Sequence, residues 1–449
     1  FNGKLENYNY FMEEHPLGDV KIEFDLTSDL LKLEDIFSYK GENFVPKDYR
    51  HEQLSELKVH GSVDLLFNDG LKSSDLDITQ IDAKMNVHPM KFKKFNGRVH
   101  YQEEQLEVQN LSGQIGNSNF RVNLNYYLGS NDKKKRKADY FSLKSSRLDF
   151  DELFDYTDLS GKLASSPSEH EDVFNIYDIP FPEMAFDMDI NYLNYHRYKI
   201  QNFKGSLRTT PNHYLFVDTL SMNIAGGSIA MSGYFNGSDR DEIYFTPNLS
   251  LKEVSLDKLL FKFENFGQDY LVSENIHGNI TSSITGKIRM HADLVPIIDK
   301  SEIHMDLMIR DGRLVNYAPI VDLKDYFIDK NVNNIRFDTL QNHIDLKNGM
   351  MTIPKMTINS SLGYMLVSGA QDMKSNMEYY IKVPLKLIVR TGFKTLFGKP
   401  KNEVDITQED EIEYLDSDKK SAYVNIKIEG DSENFKVSLG KDKKKKKSR

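Results

Sequence analysis

Residues 186–192 read Phe-Asp-Met-Asp-Ile-Asn-Tyr: Phe186, Met188, Ile190 and Tyr192 are apolar, and Asp187, Asp189 and Asn191 stand between them. Side chains alternate across a strand with period two, so this order puts apolar groups on one face and polar ones on the other. A helix, with its period of about 3.6, would scatter both kinds around its circumference. The stretch therefore predicts a β-strand with one face made for an apolar environment. The same alternation runs through Val20, Ile22, Phe24 and Leu26; Phe120, Val122, Leu124 and Tyr126; Ile229, Met231, Gly233 and Phe235; Ile303, Met305, Leu307 and Ile309; and Val424, Ile426 and Ile428. Roughly twenty strands can be marked in this way, with Asn96-Gly97, Asp311-Gly312 and Asn348-Gly349 reading as turns.

Helical spacing is confined to four short segments, 29–37, 149–156, 256–263 and 318–327. They are too few to cover so many strands, so the apolar faces need a second sheet, closure into a barrel, or something that is not protein. Internal repetition chooses among these. Phe95-Asn96-Gly97, then Leu106, Val108 and Leu111, then Ile115 to Phe120, align with Phe203-Lys204-Gly205, then Leu215, Val217 and Leu220, then Ile224 to Ile229. A looser third copy begins at Asn348-Gly349. Stacked meanders of this kind lengthen a single sheet rather than build separate cores. The expected fold is mainly β: an elongated, repeat-built antiparallel sheet, curved into an apolar groove, with few short helices.

Of 449 residues, 39% are hydrophobic and 28% charged, which excludes wholesale disorder. The net charge is −10, and the tail from Lys441 to Arg449 carries seven positive charges against Asp442, leaving the rest near −16. A body this acidic is a poor partner for phosphate backbones, so no nucleic-acid role is expected. With no cysteine, disulfides, thiolate catalysis and Cys-ligated metal are excluded. The reading divides the chain into the end of a preceding repeat with a short helix (1–58), a first β repeat (59–160), a flexible link (161–183), a second repeat (184–275), a C-terminal repeat (276–401), an acidic solvated loop (402–421), final strands (422–440) and a lysine-rich tail (441–449). Opening on Phe1, the sequence reads as part of something longer whose N-terminal anchor is missing.

Motifs of chemistry are scarce. Residues 392–399 (GFKTLFGK) miss the phosphate-loop spacing by one residue and place Pro400 where a hydroxyl belongs. The twelve histidines show no helical i, i+4 pair, and the i, i+2 acids Asp75/Asp77, Asp149/Asp151 and Asp187/Asp189 read as solvent faces of amphipathic strands. No catalytic residue, metal or cofactor is expected.

The one-faced meander, the repeated F-x-G…L-x-V…L…G pattern, the LDFDELF and LDKLLF helices and the run from Ile303 through Arg310-Asp311-Gly312-Arg313-Leu314, Leu346-Lys347-Asn348-Gly349 and Val367-Ser368-Gly369 together resemble the AsmA-like envelope proteins (AsmA/TamB type). The likeness is best over 184–383, and the phenylalanine-, tyrosine- and lysine-rich style is similar to Bacteroidetes members. The resemblance implies an inner-membrane-anchored periplasmic protein of the bridge-like lipid-transfer kind, which supports phospholipid transport between the membranes and outer-membrane integrity without enzymatic activity. Its partners would be phospholipid or another acyl lipid, the membrane through the missing anchor, and other envelope proteins. The groove lining would then be Val122, Leu124, Phe186, Met188, Ile190, Ile229, Met231, Phe235, Ile303, Met305 and Leu307. The alternative is a periplasmic scaffold or assembly factor that offers sheet edges to outer-membrane proteins.

Overall fold

The structure, a computed structural model, describes residues 2–7, 9, 17–33, 38–39, 42–43, 52–68, 71–85, 91–129, 135–153, 175–178, 181–195, 198–262, 272–321, 324, 330–373, 376–385, 410–415, 422–431 and 434–439. These form two compact units. The first carries β1 (Asn2–Glu6), β2 (Leu17–Lys32), β3 (Ser38–Tyr39), β4 (Glu42–Asn43), β5 (Gln53–Asn68), β6 (Leu71–Met85), β7 (Lys91–Gln102), β8 (Gln105–Ile115), β9 (Ser118–Tyr127), β10 (Asp139–Ser145), β11 (Leu148–Asp149), helix α1 (Phe150–Leu153), β12 (Met184–Tyr195), β13 (Tyr198–Thr210) and most of β14 (Tyr214–Ile224). The second carries β15 (Gly227–Asn236), β16 (Tyr244–Ser255), α2 (Leu256–Lys262), β17 (Ile276–Met290), β18 (Pro296–Val315), α3 (Ala318–Val321), β19 (Asn334–Lys347), β20 (Met350–Ser360), β21 (Gly363–Asp372), β22 (Met377–Pro384), β23 (Tyr423–Gly430) and β24 (Phe435–Leu439).

The fold is mainly β, as the alternation predicts: 22 strands share one open sheet, with β3–β4 a separate hairpin. In the first unit β1, β2, β5, β6, β7, β8, β9 and β10 pair antiparallel in that order. In the second, β15 to β24 pair antiparallel, each with the next in sequence. β12 departs from antiparallel order and lies parallel to β10 and β11. A parallel neighbour needs a crossover rather than a hairpin, and α1 stands at its start.

The sequence around α1 explains how that junction is held. Asp149 is the N-cap: its Oδ1 accepts a hydrogen bond from the Glu152 backbone N–H (3.3 Å). Glu152, three residues on, turns instead to the β8–β9 turn and accepts from the Asn117 N–H (2.8 Å). Asn194 of β12 donates through Nδ2 to both Asp149 (3.0 Å) and Asp151 (3.1 Å). Asp149, Asp151 and Glu152 thus tie helix, hairpin and returning strand together. In the second unit, α2 buries Leu259 and Leu260 and leaves Phe261 exposed.

Several expectations need correction. Residues 29–32 continue β2 instead of starting a helix, because pairing of Leu30, Leu31 and Lys32 with Ser55, Leu54 and Gln53 satisfies backbone groups that a short helix would leave open. The remainder of that segment, 34–37, lies outside the described residues; the 318–327 helix is present over Ala318–Val321, and 322–323 and 325–327 lie outside the described residues. Asn96-Gly97 and Asp311-Gly312 are not turns: both pairs lie inside strands, at register shifts of the β7–β8 and β17–β18 ladders. Only Asn348-Gly349 turns the chain, with φ of 52° and 70°. Similar bulges with a left-handed residue occur at Asn110 and Glu253, whose N–H groups are taken by Asn123 Oδ1 (2.8 Å) and Thr281 Oγ1 (3.2 Å) of the adjoining strands. Bulges increase the local twist and bend of a strand.

The acidic segment is also tighter than a solvated loop over its described part, 410–415. Asp410 Oδ2 accepts from the Asn331 N–H (2.8 Å), Lys330 pairs with Glu413 (3.1 Å), the Glu413 N–H bonds to Ser360 O (3.1 Å) and the Leu415 N–H to Asn359 Oδ1 (3.0 Å). The phosphate-loop look-alike, residues 161–174 of the link and the lysine tail lie outside the described residues. No helix among the described residues is long and apolar enough to cross a membrane.

Candidate functional site

Residues directly opposite one another in a ladder share a face, so the register shows which side chains line up across a sheet. In the first unit one row runs without interruption through Leu5, Ile22, Val63, Leu76, Val99, Val108, Leu124, Phe141, Phe186 and Leu207, one residue from each of ten strands. Every member is apolar. Beside it runs Leu111, Val122, Leu143 and Met188, ending on Gly205. At about 4.8 Å per strand the longer row extends roughly 43 Å.

Nine of the ten side chains in the long row are half-buried and Leu5 is exposed. A packed second layer would bury such a row, as it does in a β-sandwich. An uncovered flat sheet would leave both faces similarly open. Here the apolar alternates are sheltered, and on the other face Asp187, Arg98 and Lys144 are exposed, Asn123 and Asp189 half-buried and Ser142 buried, so the two faces are not equally open.

The second unit repeats the arrangement. Met231, Leu249, Ile284, Met305 and Ile344 form a row over β15 to β19, all half-buried. Ile303, Leu346 and Met351 form another over β18 to β20. Farther along the same strands the surface deepens into a cavity of about 230 Å³, lined by Leu314, Phe337, Leu340, Ile358, Met365, Tyr379 and neighbours, with Ser360 the one lining residue that is neither aliphatic nor aromatic. The Ser360 hydroxyl donates to Gly363 O (2.7 Å) and the Tyr379 hydroxyl to Gln371 Oε1 (2.6 Å), so both have partners within the fold. Apolar cavities are typically empty of water, and one of about 150 Å³ lined by Leu, Ile and Phe takes up small apolar molecules. In this protein, Ile335, Leu362 and Ile381 of the cavity lining belong to a packed cluster that also holds Val383 and Ile426.

All eleven residues expected to line a groove lie on strands. Val122, Leu124, Phe186, Met188, Met231, Ile303 and Met305 are half-buried, whereas Ile190, Ile229, Phe235 and Leu307 are buried. The cavity residues Phe337 and Leu340 escape a period-two reading because they share a lining while three residues apart. Their partners Gly312 and Ile309 straddle Asp311, whose φ is 51°. Of the paired acids, Asp75 and Asp77 sit on the polar side, where Asp77 bonds Arg98 (2.9 Å) and Asp75 bonds His100 (2.6 Å). Asp149 and Asp151, by contrast, are not on a solvent face of a strand: Asp149 is buried and caps α1, and Asp151 lies in that helix. Burial pushes the Asp149 carboxyl up, but hydrogen bonds from Asn194, the Glu152 backbone and Arg147 outweigh it and hold the group below the usual carboxylate range. The Arg208 guanidinium, bonded to Asp218 through two parallel contacts (2.6 and 2.7 Å), likewise lowers that carboxyl.

No family model, curated protein or solved structure matches this chain, so the likeness to the AsmA-like proteins rests on the residues quoted for it.

Proposed function

We propose that this chain is a non-enzymatic, lipid-binding protein of the cell envelope. Its apolar sheet faces hold the acyl chains of phospholipid or a related lipid. Placed in the periplasm and anchored to the inner membrane, it would support movement of lipid toward the outer membrane. The observation that carries the reading is the ten-residue apolar row of the first unit, half-sheltered yet covered by no protein layer among the described residues. Each buried methylene contributes about 0.8 kcal/mol, so an acyl chain laid along the row is held firmly. The chains of one leaflet fill half of a hydrocarbon core about 30 Å thick, so a row of roughly 43 Å offers between two and three chain lengths. A uniform row has no deep trap, which suits sliding over storage.

The test is photo-cross-linking in the full chain. A photoreactive phenylalanine analogue at Phe186 should capture lipid from cell extracts or vesicles. The same analogue at Asp187, on the opposite face, should not. Equal labelling at both positions, or none at either, rejects the reading.

A further inference from the structure

The polar side of β18 and β19 carries a duplicated short pattern, His304-Met305-Asp306-Leu307 and His343-Ile344-Asp345-Leu346. Antiparallel pairing sets His304 opposite Asp345 and Asp306 opposite His343, so the two copies meet head to tail on one face. Asp345 Oδ1 lies 2.6 Å from His304 Nδ1 and 3.1 Å from His343 Nε2. One nitrogen from each ring and one carboxylate oxygen therefore fall within 4.8 Å of one another. The rings are stacked, with centroids 6.4 Å apart.

The second nitrogen of each ring also faces a carboxylate. His343 Nδ1 is 2.8 Å from Asp306 Oδ1, and His304 Nε2 is 3.5 Å from Glu302 Oε1, itself bonded to Lys347 (2.9 Å). Outer carboxylates in these positions fix the tautomer of a metal-binding histidine and raise its basicity. Simple surface ion pairing needs one acid for each histidine. Here the two directly opposite pairs, His304–Asp345 and His343–Asp306, are joined by further contacts that bring both rings onto Asp345 Oδ1 with another acid behind each. The flanking ladder positions are small hydroxyl residues: Thr285 beside His304, Ser283 beside Asp306 and Thr352 beside Asp345. They leave the approach to the three inner atoms open.

We propose that His304, His343 and Asp345 form a divalent transition-metal site, with Asp306 and Glu302 as its outer partners. Two imidazole nitrogens and one carboxylate suit Zn²⁺ and its neighbours Ni²⁺ and Cu²⁺. Ca²⁺ and Mg²⁺ favour all-oxygen shells. Three protein ligands leave at least one position for water or an external donor. Bound metal would cross-link β18 to β19 from the side opposite the apolar row. The site is independent of the lipid-binding reading.

The test is calorimetric titration of chelator-stripped full chain with ZnCl₂. One equivalent should bind, and Co²⁺ should give the visible spectrum of a bound ion. H343A and D345N should each weaken Zn²⁺ binding at least tenfold, and D306N, which touches only the outer shell, by about 10- to 100-fold. H277A serves as control, since His277 lies outside the cluster. Circular dichroism checks that each variant is folded. The proposal is overturned if the folded wild type takes up no Zn²⁺ at roughly 0.1 mM. It is also overturned if H343A and D345N bind as tightly as the wild type.

Discussion

Asp149 shows how one side chain can hold a repeat junction together. Its carboxylate caps α1 and accepts from Asn194 on β12, and its pKa is lowered on folding from a value of 3.8. The unfolded chain therefore takes up a proton first as pH falls. The stabilisation is present above pH 3.8 and is lost as pH falls through the folded-state value. We predict that D149A loses about 1 kcal/mol at neutral pH, and that its gap from the wild type closes in acid. Urea midpoints for the two proteins across that range check this; a gap that does not vary with pH would remove the carboxylate from the account. Met231 and Met305 make the complementary case on the apolar face. Both are half-buried, so M231D and M305D are expected to keep the fold while lowering acyl-lipid binding at least tenfold, because a carboxylate is costly beside methylenes. Far-ultraviolet dichroism and a lipid-binding titration read the two effects separately. Collapse of the fold without a separate binding defect would assign these residues to a packed core.

Among the strand elements, the glycines carry information that turn rules alone misread. A Cβ added at Gly312 would fall within 1.9 Å of the Phe337 ring directly opposite it, and one at Gly97 would lie 2.6 Å from Leu111 Cα. These glycines make room for an aromatic ring and for a neighbouring backbone, and both sit at bulges. We predict that G312V costs about 1–3 kcal/mol by displacing Phe337. G312V should also narrow the cavity that Phe337 lines, and uptake of an apolar fluorophore in the second unit reports on that. Unchanged stability and unchanged uptake would show that the ring moves aside freely. The strands themselves were legible because alternation is a local property: Phe186 to Tyr192 commits to one face whatever pairs with it. Bulge positions were not, since Asn96-Gly97 and Asp311-Gly312 have the composition of a turn, and only pairing with β8 and β17 keeps them inside strands. The first part of the 29–37 segment, 29–32, departs from the helical reading for a related reason. Its leucine spacing suits a helix, but β5 offers it three more paired residues.

For the molecule as a whole, the decisive property lies between the strands. Alternation predicts that Leu124 and Phe186 each face an apolar side; it does not predict that Phe141 stands between them, or that the row continues to Leu5 and Leu207. That continuity depends on register, which bulges reset along the ladders, and on the parallel return of β12. The same limit hid the meeting of His304 with His343, whose matching H-x-D patterns were visible although their juxtaposition was not. The central claim is that the apolar rows are completed by lipid. Mass spectrometry of organic extracts from the full chain, purified without detergent beside a similarly prepared control protein, tests it most directly. The account predicts at least one phospholipid per chain and none in the control. A folded, monodisperse chain whose extract is empty would contradict it, and would leave the sheet edges as the surface to pursue.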